Sequence, residues 1–327
     1  MDNRYARQIQ VKEIGLTGQQ SLSNANVVVI GMGGLGCHIA TLLAGAGIGK
    51  LRVLDHDRVS LSNLHRQTLY RESDIGQLKV RIAQTQLQAL NKDISVQATA
   101  ERLAPGNVQS ICDGADLVID AADNFAVSYL LSDACMEQQT PLISASVNRT
   151  FGYVGLFCNG APSLRAVFPK IPNETTSCDT VGVTGPSVAI IAGIQSQEAI
   201  KLLIGKPSLS GKLLYFDMWN YSLQTIDISG AKEPQHSRIK LIDANSISNA
   251  DYVIDVRTHD EIHKSPQSFH VDLHRPLEEL IENHGNLSEK RIVIACVSGQ
   301  RAMLAAQTLI SNAYQEVSVV LPTTSAG

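Results

Sequence analysis

The chain has 327 residues, long enough for two domains, and its 44% hydrophobic and 18% charged residues describe a folded rather than a disordered protein. A net charge of −4 with scattered basic residues gives no footing for nucleic acid or an anionic membrane. Apolar stretches such as Asn26–Ile30 and Ser187–Ile194 fall far short of the roughly 20 residues of a membrane span, no signal peptide is read at the N-terminus, and six dispersed cysteines without a C-x-x-C pair fit a reduced, cytoplasmic setting.

In chain order, residues 1–25 read as a polar helical lead-in that carries Arg4 and Arg7. Asn26–Ile30 is a short apolar strand running into Gly31-Met-Gly33-Gly34-Leu-Gly36, and Cys37–Gly47 follows as a buried helix. Lys50–Leu54 is a second strand, closed by Asp55-His56-Asp57. A helix over Arg81–Leu90, a strand over Ile94–Ala98 and a strand over Leu117–Ala121, leading to Asp123, continue the alternation. That order implies right-handed crossovers and an α/β fold with a doubly wound, mostly parallel Rossmann-like sheet. Leu142–Phe168 and Lys212–Ile228 alternate apolar and polar residues as antiparallel strands on either side of one helix, Ser187–Ile204. The polar stretch Ser229–Ser237 reads as a linker. The pattern then restarts with a strand at Tyr252–Val256, a helix at Leu277–Asn283, a strand at Arg291–Ala295, a helix at Ala302–Ser311 and a strand at Val317–Leu321. The expected division is a nucleotide-binding domain over 1–228, a linker over 229–237 and a smaller α/β domain over 238–327.

Glycines at 31, 33, 34 and 36 between a strand and a helix let the backbone approach a phosphate at the helix N-terminus, and Asp55 at the next strand end is placed for ribose hydroxyls. On these residues alone a nicotinamide-dependent oxidoreductase is the leading reading. The residues after Asp55 favour a triphosphate instead. Asp57, Asn63, Arg66 and Gln67 lie just beyond the ribose acid and Lys79 soon after, and of these Arg66 and Lys79 supply cations that a dinucleotide does not need. Asp123, beside Asn124 at a strand end, suits Mg²⁺ through oxygen ligation.

Taken together, R-Y-x-R-Q-I at Arg4–Ile9, G-x-G-G-L-G at Gly31–Gly36, D-x-D-x-V-x-x-S-N-L-x-R-Q at Asp55–Gln67, Lys79 and D-N at Asp123–Asn124 resemble the MoeB/ThiF adenylyltransferases, relatives of ubiquitin-activating enzymes, over about residues 4–228. The resemblance implies ATP and Mg²⁺, and adenylation of the Gly-Gly carboxylate of a ubiquitin-like, ThiS- or MoaD-like sulfur carrier. It implies that Gly34 and Asp55 hold the nucleotide, Arg66 and Lys79 the phosphates and Asp123 the metal. Arg7 matches an arginine that reaches the ATP of the other protomer, which implies a homodimer. Cys178 stands where some members use a thiol nucleophile and others have no essential residue, so both roles stay open. Many relatives hold zinc with two C-x-x-C pairs; Ser163 and Ala166 occupy the first pair's place and the linker lacks cysteine, so no zinc is expected.

Ile254-Asp255-Val256-Arg257 and Cys296-Val-Ser-Gly299-Gln-Arg301 resemble a rhodanese-like domain. A six-residue strand-to-helix loop aims backbone N–H groups at one sulfur, and with Arg301 and the helix N-terminus this favours a thiolate and then a persulfide at Cys296. The expected reaction is adenylation followed by sulfur transfer from a persulfide or thiosulfate donor, giving a thiocarboxylate. A non-catalytic carrier-binding scaffold and an oxidoreductase are the alternatives.

Overall fold

The computed structural model describes residues 3–171, 182–234 and 239–322. Two short helices, α1 (Ala6–Ile9) and α2 (Gly15–Asn24), precede a Val-rich strand, β1 (Asn26–Ile30), that is buried on both faces and so carries apolar residues continuously rather than alternately. α3 (Gly34–Ala46) returns over the sheet, ends on Gly47 in the left-handed region (φ +83), and leads into β2 (Lys50–Leu54). α4 (Lys79–Leu90), β3 (Ser95–Thr99), α5 (Val108–Cys112), β4 (Leu117–Asp120), α6 (Phe125–Gln138) and β5 (Leu142–Asn148) follow. Then come β6 (Phe151–Phe157), α7 (Leu164–Val167), α8 (Gly185–Leu203), β7 (Lys212–Asp217) and β8 (Ser222–Asp227). The eight strands form one sheet in the order β3-β2-β1-β4-β5-β6-β7-β8. Because the chain runs outward from β1 to β3 and then restarts at β4 on the other side of β1, the switch point lies between the carboxyl ends of β1 and β4.

The expected doubly wound sheet is present, with two differences. Strand β5 pairs parallel with β4, so the antiparallel part begins only with β6. Helix α6 has no counterpart among the expected elements. Apolar residues surround it because it is covered twice, by the large sheet on one side and by the C-terminal unit on the other, which leaves little periodicity to read.

The C-terminal unit is a second, wholly parallel sheet in the order β11-β10-β12-β13-β9, from β9 (Lys240–Ile242), β10 (Tyr252–Asp255), β11 (Leu273–His274), β12 (Ile292–Ala295) and β13 (Val317–Val320). Its helices are α9 (His259–Lys264), α10 (Leu277–Glu282) and α11 (Gln300–Ser311). Of these, β9, α9 and β11 are too short to announce themselves in the sequence. One apolar cluster runs through both units, joining Val28, Tyr129 and Phe157 to Ile294, Met303 and Leu321. The stretch read as a free linker is held at its start: both carboxylate oxygens of Glu233 accept from Ser163, at 2.7 Å from its backbone N and 2.6 Å from Oγ. Arg165 pairs bidentately with Asp133 and also donates to the Ile239 carbonyl. Among the described residues, no helix is long and apolar enough to cross a membrane.

Asp120 ends β4 in full burial, accepting from Ser144 Oγ at 2.7 Å and from the Ala122 backbone N at 3.1 Å. Burial pushes its carboxyl up from 3.8 to about 6. A raised carboxyl stabilises the fold in its protonated form, so this contribution is complete below pH 4 and lost as pH rises through 6. The difference corresponds to about 3 kcal/mol. Asp120→Asn is therefore expected to gain stability relative to the parent by about that amount between pH 4 and pH 7 in urea unfolding; a difference independent of pH would refute the assignment.

Candidate active site

At the end of β1 the chain turns at Gly31 (φ +91), where a Cβ would stand 2.8 Å from the Ala121 carbonyl oxygen. Gly36, inside α3, lies so close to the Gly31 carbonyl that any side chain would collide with it. Gly33 precedes α3 with no side chain to cap it, so the first N–H groups of the helix stay available to an anion. Gly34 packs against Val188 and the stem of Arg66.

A cavity of about 730 Å³ lies over this turn. Its walls include Gly31, Gly33 and Gly34; Asp55, Asp57 and Asn63; Arg66, Gln67 and Lys79; and Asp123 with Asn124. Eleven of the residues singled out from the sequence are thus gathered at the switch point. Gly36 shapes the turn from behind. Arg7 is exposed on α1, donating to Gln10 Oε1 at 3.5 Å, and does not line the cavity. Cys178 lies outside the described residues.

Asp55 is oriented by two backbone donors, Met32 N at 2.7 Å and Asp57 N at 2.8 Å, each leaving a lone pair for hydroxyl donors. Lys79 opens α4 almost fully buried, its Nζ 3.0 Å from Asp57 Oδ2. Burial works to raise the Asp57 carboxyl, but the Lys79 charge and hydrogen bond outweigh it and hold it below its ordinary value. Arg66 sits beside them, its Nη1 donating to the Ser62 carbonyl at 3.2 Å. Gln67 is buried, and among the described residues its Oε1 has no hydrogen-bond partner, an orphaned acceptor of the kind a ligand donor satisfies. Arg102 and His56, 2.7 Å apart, complete this wall; sequence reasoning misses both, because 46 positions separate them in the chain.

Asp55, His56 and Asp57 present ligand atoms within 4.8 Å of one another. Asp57 is paired with Lys79 and Asp55 accepts from two N–H groups, so a cation bound here would compete with the Lys79 ammonium. Asp123 is exposed at the cavity and offers the hard oxygen that Mg²⁺ prefers.

The C-terminal unit also reaches this cavity, through Ser298, Gln300, Leu321 and Pro322. Cys296 directly follows β12 and is buried, and the Gly299 N–H donates to its Sγ at 3.1 Å. Arg301 is not directed at the sulfur alone: its guanidinium holds Glu261 bidentately at 2.8 and 2.7 Å. Those hydrogen bonds keep the Glu261 carboxyl down at about 2. Asp255 and Arg257 form a second bidentate pair, buried beside the base of the loop.

Residues 5–238 match the family model of the ThiF family, and residues 238–321 that of the rhodanese-like domain. The chain is 36% identical over 303 residues to the "Adenylyltransferase and sulfurtransferase MOCS3" of Culex quinquefasciatus, a match covering 90% of this chain and 68% of that protein. It is 39% identical over 236 residues to the "Sulfur carrier protein adenylyltransferase" of Thermus thermophilus, covering 69% of this chain and 87% of that protein. The chain spans about half the length of two mosquito proteins that share the first of these names. Among solved structures, E. coli MccB with ATP is similar in fold, with a TM-score of 0.62 at 23% identity over 70% of this chain and 72% of that one.

Proposed function

Because the chain belongs to the ThiF family and carries a rhodanese-like domain behind it, we propose that it uses ATP to adenylate the C-terminal carboxylate of a ubiquitin-like sulfur carrier ending in Gly-Gly and then replaces the adenylate by sulfur. The observation that carries this reading is the bare N-terminus of α3 at the switch point, ringed by Asp55, Arg66, Gln67 and Lys79. The work divides between residues 1–228, which adenylate, and residues 238–327, which carry sulfur.

In the first step a carboxylate oxygen of the carrier attacks the α-phosphorus of ATP, the bond to the β-phosphate breaks, and pyrophosphate leaves. The N–H groups of α3 and the cations of Arg66 and Lys79 stabilise the charge that develops on the phosphate oxygens. Asp55 and Gln67 hold the nucleoside. Asp123 is the residue to hold Mg²⁺, which when bound neutralises the leaving pyrophosphate. Arg7, exposed and away from this cavity, acts on the partner site of a homodimer.

In the second step the outer sulfur of a Cys296 persulfide, charged by thiosulfate or another persulfide, attacks the acyl carbon, and AMP leaves with the electron pair of the C–O bond. The carrier is then an acyl persulfide on Cys296. A thiolate, that of Cys178 or an external thiol, attacks the Cys296 sulfur; the S–S bond breaks, and the carrier leaves as a thiocarboxylate while a new disulfide forms on the protein. A cellular dithiol reductant resets that disulfide.

The test is ATP–pyrophosphate exchange in the presence of purified ubiquitin-like carriers ending in Gly-Gly. Exchange dependent on the carrier and on its terminal glycine is expected. Absence of exchange with every such carrier, together with thermal stabilisation by NAD⁺ rather than ATP, would favour an oxidoreductase.

A further inference from the structure

The Asn124 side chain makes two hydrogen bonds of different kinds. Its Oδ1 accepts from the Ala126 N–H at 2.9 Å, capping α6 at the wall of the nucleotide cavity, and its Nδ2 donates at 2.7 Å to the backbone carbonyl of Ser298, 174 residues away in the C-terminal unit. Ser298 belongs to the turn that bears Cys296. The same turn is pressed onto the first turn of α6: a Cβ at Gly299 would stand 3.3 Å from the Ala126 Cβ and would collide with Leu321. Gly299 also takes a positive φ of +86, so two constraints keep a side chain out of this seam. On the open side, Ser298, Gln300, Leu321 and Pro322 line the cavity that holds Gly31, Gly33 and Asp123.

We propose that Asn124 is a positioning residue that clips the Cys296 turn into the wall of the nucleotide cavity, so that sulfur is presented to the acyl group from a docked unit rather than delivered on a swinging tether. The inference rests on the reading of the two units as adenylating and sulfur-bearing. Three features act together. The Asn124 amide satisfies a carbonyl in the seam; Gly299 permits close approach; and the connector is held at the far side by Glu233 on Ser163 and by Arg165 on Ile239. Docking of this kind replaces a search through the volume of a flexible chain by a fixed local concentration.

Asn124→Asp separates the two roles. The carboxylate still accepts from Ala126, so α6 remains capped, but it cannot donate and sets negative charge against the Ser298 carbonyl. In hydrogen exchange of the full-length protein, amides of residues 297–301 are expected to exchange about tenfold faster in the variant, while those of residues 126–128 stay within twofold of the parent. Unchanged exchange at 297–301 overturns the proposal, and so does equal acceleration of both segments, which would mean general loosening. With a Gly-Gly carrier, ATP and thiosulfate, the thiocarboxylate formed per AMP released is expected to fall at least fivefold; an unchanged ratio overturns the proposal too. If the parent forms no adenylate at all, the proposed function fails, while the exchange measurement, which needs no substrate, still decides whether the clip exists.

Discussion

Replacing Arg66 or Lys79 by alanine is expected to lower carrier-dependent ATP–pyrophosphate exchange by at least two orders of magnitude. Both residues line the cavity over the glycine turn, and both are shielded from water, Arg66 at 9% and Lys79 at 5% exposure. Charges in so dry a setting act on a nearby phosphate with little screening, and loss of one preorganised stabilising group costs about 3 kcal/mol in the transition state. The two variants should differ in stability. Lys79 is the ion-pair partner of Asp57, so Lys79→Ala removes the strongest of the charges that hold that carboxylate and leaves it His56 and Arg102. Arg66 packs its stem on Gly34 and donates to the Ser62 carbonyl, so its removal loosens the loop without stranding a charge at Asp57. Thermal melts beside the exchange assay separate the effects: in Arg66→Ala, exchange should collapse while the melting temperature changes little. Exchange near the parental rate in either variant would show that the triphosphate lies elsewhere.

The second large effect concerns Cys296. Cys296→Ala should abolish thiocarboxylate formation, read as intact mass of the carrier after incubation with ATP and thiosulfate, while retaining pyrophosphate exchange within a few-fold. Sγ accepts the Gly299 N–H at the end of a strand whose four residues are all buried, so the thiol is held in one place by its own turn. Alanine removes the nucleophile and leaves the turn's other anchors, among them the Asn124 hydrogen bond to Ser298. The glycine turn, Arg66 and Lys79 all belong to the other unit. Thiocarboxylate at the parental rate in Cys296→Ala would make this unit a docking element, with sulfur arriving from another protein.

Much of the candidate site is legible in the sequence because its parts are local. The turn from Gly31 to Gly36 is dictated by backbone clearances within six residues, and Asp55 through Gln67 form one continuous loop after β2. The residues that escape such a reading are those whose roles arise across distance. Arg102 and His56 meet only because β2 and β3 are neighbours. Ser298 and Gln300 enter the cavity only because the second unit docks there. The Arg301 charge is read in the sequence as serving Cys296 alone, but in the fold its guanidinium also holds Glu261, on α9. Helix α6 is hidden for a related reason. Amphipathic periodicity reports a helix with one dry side, and α6 is dry on two.

That doubly covered helix has a thermodynamic consequence. Tyr129, Leu130 and Leu131 of α6 share one apolar cluster with Val28 of the first sheet and with Ile294 and Met303 of the second. Neither sheet can therefore melt alone without exposing the lining of the other, and the free energies of the two units are not separate quantities. A packing defect beneath Cys296 is felt as lost stability around the glycine turn, and any ligand that binds only the folded state protects both sheets by mass action, whichever of them it touches.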